Sequence, residues 1–122
     1  MSLRAYSAVW DHFEGTSAQR LVMLALADHA DEHGIAWPSW RELSEKTGLS
    51  RRQVAGHLQR IKQSGQLEVL DNQGGGAPGT TPLYFITLPG LDGDPAEATQ
   101  RRRRGTRRVL KPAPEPLLGR NR

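Results

Sequence analysis

No cysteine occurs in the 122 residues. Disulfides, thiol catalysis and cysteine-ligated zinc are thereby excluded, and a reducing cytoplasmic setting is expected. Hydrophobic residues make up 36%, below the usual globular share, so part of the chain is expected to lie outside a core. No apolar run approaches the roughly 18 to 20 residues of a membrane span. The first residues, MSLRAYSAVWDHFEG, hold no uninterrupted apolar stretch behind a basic head, so no secretory signal is expected there. Also missing are a nucleophile motif, a phosphate loop and a convergent acidic pair. The chain is therefore not expected to be an enzyme or to carry a cofactor.

What is present is positive charge. The net charge is +4 and the sequence pI about 10.1. A balance of this kind fits a polyanionic partner, most often nucleic acid. The charge is uneven. Residues 1–88 hold eight Lys/Arg against nine Asp/Glu, whereas residues 89–122 hold nine against four. The segment RRRRGTRR (Arg101, Arg102, Arg103, Arg104, Arg107, Arg108) accounts for most of the excess.

Apolar spacing divides the rest into elements. Tyr6, Val9, Trp10 and Phe13 predict a short amphipathic helix, broken at Gly15. Thr16 with Gln19 three residues later is a capping box for the apolar run RLVMLALADHA, a largely buried helix. Gly34 is expected to end it at the left-handed C′ position. Pro38 keeps Trp37 out of helix, so Ile35 to Trp37 is expected to be extended. Ser39 with Glu42 then opens a helix running to about Lys46. TGLS is a turn in which Gly48 takes positive φ. Ser50 caps RRQVAGHLQRIKQ, whose Val54, Leu58 and Ile61 share one face. QLEVLD and LYFITL are strands flanking the loop NQGGGAPGTTP. Beyond Pro89 no apolar period remains, and the chain is expected to be disordered.

Two helices joined by a short glycine turn, followed by a hairpin, form a helix-turn-helix with a wing. The expected fold is mainly α with a small β-hairpin: a winged helix-turn-helix with an extra N-terminal helix and a disordered basic C-terminal tail. Residues 1–88 would be the DNA-binding domain and 89–122 the arginine-rich tail. Trp40, Leu43, Leu49, Val54 and Leu58 would supply the packing. Trp10 and Trp37 are expected in the core as well, because few other large side chains are available.

The stretch LVMLALADHADEHGIAWPSWRELSEKTGLSRRQVAGHLQRIKQSGQLEV resembles the winged helix-turn-helix domain of bacterial phage, plasmid and integrative-element proteins. The likeness lies in Leu24 to Ala30, in Trp37 to Ser39, in Gly48 to Ser50, and in Val54 with Leu58. It covers about Ala5 to Leu88. It implies DNA binding, in a small transcriptional regulator or in the DNA-binding module of a replication initiation protein.

With Val54 at zero and 100° per residue, the core direction of the second helix lies near 10°. The opposite face holds Arg52, Gly56, Gln59 and Gln63, flanked by Gln53 and Arg60. Arg51 lies nearer the core side but in the first turn, within reach of a phosphate. Arg52 suits guanine O6 and N7, and Gln53 suits adenine. Ser50 can offer a phosphate its amide or hydroxyl at the helix N-terminus. Gly56 costs about 1 kcal/mol against alanine in mid-helix. It either admits a close groove wall or reflects local packing. The loop 72–82 contains no Lys or Arg, so any contact there would come from Asn72, Gln73, Thr80, Thr81 and glycine amides. The arginine run would supply the missing cations. A flexible linker from Leu88 to Arg101 spans about 20 Å on average, enough to reach a neighbouring minor groove.

Other partners stay open. His29 and His33 stand four apart beside Asp28, Asp31 and Glu32, which fits either a metal or a helix end; the helix end is expected, with no metal. The tryptophans can anchor a protein partner, and the arginines can bind RNA. A homodimer on a palindrome would match one short half-site per recognition helix. Double-stranded DNA is the expected partner, and no membrane is.

Overall fold

The computed structural model describes residues 2–71 and 81–100. Its elements run α1 (Leu3–His12), α2 (Ser17–His29), β1 (Ile35–Ala36), α3 (Trp40–Thr47), α4 (Arg51–Gln63), β2 (Leu67–Asp71) and β3 (Leu83–Ile86). The described residues are mostly helical, with one small antiparallel sheet in the order β1-β3-β2. This is the arrangement of a winged helix-turn-helix. The expected hairpin gains a third strand, because Ile35 and Ala36 pair with Phe85 and Tyr84.

Helix boundaries follow side-chain chemistry. Thr16, Ser39 and Ser50 each accept a hydrogen bond from the backbone N–H three residues on. Gln19, Glu42 and Gln53 answer by accepting from the cap's own N–H. Each pair satisfies two donors that a helix start leaves open. At Glu42 the backbone N–H of Ser39 holds the carboxyl below its usual value.

Helix α2 is the centre. Val22, Met23, Ala25, Leu26 and Ala27 are buried on it, and α1, α3, α4 and β1 all pack against it. Its end differs from expectation. The helix stops at His29, and Ala30 is extended. Asp31 Oδ1 accepts from the N–H groups of His33 (2.9 Å) and Ile35 (3.0 Å), drawing the backbone into a turn. Gly34, at φ +90°, serves this turn and does not cap α2.

Helix α1 shows a second difference. The core takes Ala5, Ala8 and Val9, and Phe13 beyond the helix end. Tyr6 is half-buried and Trp10 faces water at 61% exposure. Trp37 is also exposed, so neither tryptophan joins the core; only Trp40 packs against it. Ala5 and Ala8 thus take the inward positions against α2, and Tyr6 and Trp10 lie further out. The Tyr6 hydroxyl donates to Asp28 Oδ1 at 2.8 Å. Lys46 of α3 binds the other oxygen of Asp28, so one carboxylate joins three helices.

Two contacts fasten the sheet. Glu14 N–H donates to Gln66 Oε1, and Gln66 Nε2 donates to Glu14 C=O, both at 2.8 Å. This amide clamp ties the end of α1 to the start of β2. Trp40 Nε1–H donates to the Tyr84 hydroxyl at 3.0 Å, linking α3 to β3. Burial pushes the Tyr84 phenol up to about 12, against the lowering effect of that hydrogen bond.

Residues 89–100 are ordered, contrary to the disorder expected from Pro89. Leu91 packs on the core, and Gly93 N–H donates to His33 C=O at 3.0 Å. A Cβ on Gly93 would lie 2.7 Å from that oxygen, so glycine is required for the approach. Residues 95–100 then turn helically. Asp94 Oδ1 accepts from Ala96 N–H at 3.0 Å, with Pro95 at the first helical position. Residues 101–122 lie outside the described residues.

Tyr84→Phe removes an acceptor from a half-buried indole and is expected to cost about 1 kcal/mol. A lower urea midpoint with unchanged slope would show it. The folded phenol titrates above its ordinary value, so the stability from its burial is complete below pH 10.0 and is lost as pH rises towards about 12. Tyrosine absorbance against pH, compared with Tyr84→Phe, checks the sign.

Candidate nucleic-acid interface

Helices α3 and α4 meet through a turn held by its own short side chains. Gly48 caps α3 in the left-handed region at φ +79°. Thr47 Oγ1–H donates to Leu43 C=O (2.7 Å) and Thr47 Oγ1 accepts from Leu49 N–H (3.2 Å). Ser44 Oγ–H donates to Leu49 C=O at 2.6 Å. Leu49 packs against the core cluster that holds Leu43, Val54 and Leu58. These bonds fix the angle at which α4 leaves the turn.

Helix α4 buries Val54, Leu58 and Ile61. Arg51, Arg52, Gln53, Gln59, Arg60 and Gln63 are exposed, as the helical spacing predicts. Among the described residues, ion pairs join His33 to Asp92, Arg41 to Glu45 and Lys46 to Asp28. Arg51, Arg52 and Arg60 take part in no ion pair among the described residues. Their charge is therefore not neutralised by any described carboxylate. Three acidic groups are engaged elsewhere: Asp28 between three helices, Asp31 in the turn after α2, and Asp92 with His33.

Two expected contacts meet structural constraints. Ser50 Oγ accepts from Gln53 N–H at 3.1 Å, and Gln53 Oε1 accepts from Ser50 N–H at 2.9 Å. A bidentate adenine contact needs both polar atoms of the Gln53 carboxamide. It would require the cap to open. The S-x-x-Q spacing at Ser50 matches T-x-x-Q at Thr16, so this engagement was legible in the chain. Gly56 resolves the other way. A Cβ there would meet only Arg60 Nη1, at 3.8 Å, an ordinary contact. Internal packing does not ask for glycine at this position.

The remaining candidates separate. Asn72, Gln73 and Thr80 of the wing loop lie outside the described residues, as do Arg101, Arg102, Arg103, Arg104, Arg107 and Arg108. Thr81 is described and half-buried. The flexible linker expected from Leu88 is corrected in part, because the chain is packed or helical through Gln100. The reach of the arginine run therefore starts at Gln100 and not at Leu88. His29 and His33 do not share a helix, since α2 ends between them. His33 Nδ1 lies 2.8 Å from Asp92 Oδ1, and this hydrogen bond holds the Asp92 carboxyl below its usual value. A pocket lined by Asp31, His33, Asp92, Asp94 and Glu97 contains no residue of α3 or α4. Its acidic walls are unsuited to a phosphate backbone.

Residues 16–67 match a family model described as a helix-turn-helix domain. The match spans α2 to the first residue of β2, and so contains the whole α3–turn–α4 unit. It supports a DNA-binding domain. None of the curated proteins compared with the chain matches it.

Two substitutions on α4 have opposite expected effects. Ser50→Ala loses the cap and should cost about 1 kcal/mol. Gly56→Ala should raise stability by about 1 kcal/mol, since the added methyl has room. Thermal or urea unfolding of the two variants measures both.

Proposed function

We propose that the protein binds double-stranded DNA in a sequence-specific manner, with α4 in the major groove, as a transcriptional regulator. The observation that carries this reading is the exposed face of α4. It brings together Arg51, Arg52 and Arg60, none paired to a described acidic group, around a glycine that the fold itself does not require. Like charges gathered on one exposed face create a positive potential that attracts a polyanion, and the helix-turn-helix match agrees with that partner. The resemblance to phage, plasmid and integrative-element regulators supplies the biological setting of the proposal.

Roles follow from position. Arg52 faces away from the core and reads guanine through O6 and N7. Arg51 and Arg60 lie to either side and meet phosphates. Ser50 keeps its hydroxyl in the cap, where the helix N-terminus favours an anion. Gln59 lies two turns along the same face as Arg52 and is the better candidate for a second base, because Gln53 is engaged. Gly56 lets the backbone approach the groove wall. The arginine run adds phosphate or minor-groove contacts of low sequence preference. It stands in for a wing loop without a cation.

Selection of bound sequences from random DNA, followed by gel shift, tests the proposal. Enrichment of a motif supports it, and a palindromic motif would report two copies. Arg52→Ala is expected to weaken binding to the selected site by about 1–3 kcal/mol and to relax preference at one position. Gly56→Ala should weaken binding although it stabilises the fold. Deletion of residues 100–122 should leave the preferred motif unchanged and lower the salt slope by roughly four. No enriched motif, with full affinity retained by Arg52→Ala, would reduce the protein to a non-specific polyanion binder and sink the reading.

A further inference from the structure

Helix α1 turns Ala5, Ala8 and Val9 into the core. At 100° per residue, the direction opposite them carries Leu3, Ser7 and Trp10. Leu3 is 76% exposed and Trp10 61%. Ser7, between them, is exposed as well. Two large apolar side chains are thus held in water two helical turns apart, with a small one in the middle. One flank of this stripe carries Arg4 and Asp11, again seven residues apart. Both are exposed, and neither takes part in an ion pair among the described residues. Arg4 contributes to lowering the Asp92 carboxyl, but as the weakest of several causes.

We propose that this face of α1 is a homodimer interface, formed with α1 of a second copy lying antiparallel. The charge pattern selects both the occupant and its direction. A two-fold axis perpendicular to the plane of two antiparallel helices reverses their direction but keeps each flank on its own side. It sets Leu3 against Trp10 of the second copy, and Arg4 beside Asp11 of the second copy, each twice. With Leu3 and Trp10 in register, Arg4 and the opposing Asp11 are offset by about 3 Å along the axis, which the arginine side chain spans. A parallel pair would instead put the charged flanks on opposite sides and leave these charges unmatched. Ser7 at the centre admits close approach of the two helices. A surface that is complementary to itself in both apolar shape and charge fits a second copy better than an unrelated partner.

One helix pair of this length covers less than the roughly 800 Å² per partner of a standard interface. Association is therefore expected to be weak, with Kd of about 10–100 μM in the absence of DNA. Sedimentation velocity of the full chain without DNA, from about 1 μM to 1 mM, should show a monomer passing to a dimer across that range. Leu3→Glu and Trp10→Glu should each keep the protein monomeric. Arg4→Asp and Asp11→Arg should each weaken the dimer about tenfold, and the double swap should return it to within about threefold of the parent. Unchanged far-ultraviolet circular dichroism would confirm that each variant folds, as expected for exposed positions. The proposal is overturned by a protein that stays monomeric throughout, by association that survives Trp10→Glu, or by a double swap as weak as the single ones. Because no DNA is present, failure here is separate from failure of the DNA-binding proposal.

Discussion

Everything in this fold depends on α2 being apolar on more than one side. Its buried Val22, Met23, Ala25, Leu26 and Ala27 receive α1, α3, α4 and β1 at once. A helix that serves four neighbours cannot carry bulk in every direction, and two of its five buried residues are alanines. The same economy of size recurs on α1, where Ala5 and Ala8 face inward. Small side chains bring the helices together, and polar bonds then fix their order. Asp28 binds Tyr6 on one oxygen and Lys46 on the other, so the three helices share one carboxylate. Breaking a partly buried group of this kind leaves charge without a partner, which resists sliding of one helix past another.

The consequence for α4 is a fixed posture. Its inner face is held by Val54, Leu58 and Ile61, and its start is held by the Ser50–Gln53 box and the αL turn at Gly48. What remains for the outer face is unrestrained by packing. Charge is distributed to match. Asp28, Asp31 and Asp92 are drawn into turns and helix junctions, and none of the three is paired with an arginine of α4. The domain is close to neutral in total and still polarised. A small net charge therefore says little about where a polyanion would settle.

Much of this was legible before any coordinates. Two capping boxes, the cap at Ser50, the positive φ at Gly48 and the division of α4 into inner and outer faces all follow from local spacing. The failures have a common physical source. Periodicity on α1 locates a stripe but cannot decide whether two alanines or two aromatics go inward; that choice belongs to the distance from α2. Gly34 looked like a helix terminus because nothing local shows that Asp31 captures the N–H groups of His33 and Ile35 first. The order in residues 89–100 rests on Leu91 and Gly93 meeting partners some sixty residues earlier, which no window detects. Yet D-P-A-E at Asp94 to Glu97 was a readable helix start, as was S-x-x-Q at Ser50. In the candidate site, the cations and the open glycine were visible in the chain. The commitment of Gln53 to its own helix cap was the part that spacing held and function-minded inspection passed over.

The Glu14–Gln66 clamp marks a boundary as well as a contact. Glu14 lies just before the stretch that matches the helix-turn-helix family, residues 16–67, and Gln66 lies at its end. The chain between the two clamp residues leaves and returns to the same place. Such a closed circuit holds its two ends side by side, so the entry to α2 and the exit from α4 into the sheet are fixed at one point. Helix α1 and strand β3, which lie outside that circuit, close over it with buried side chains of their own.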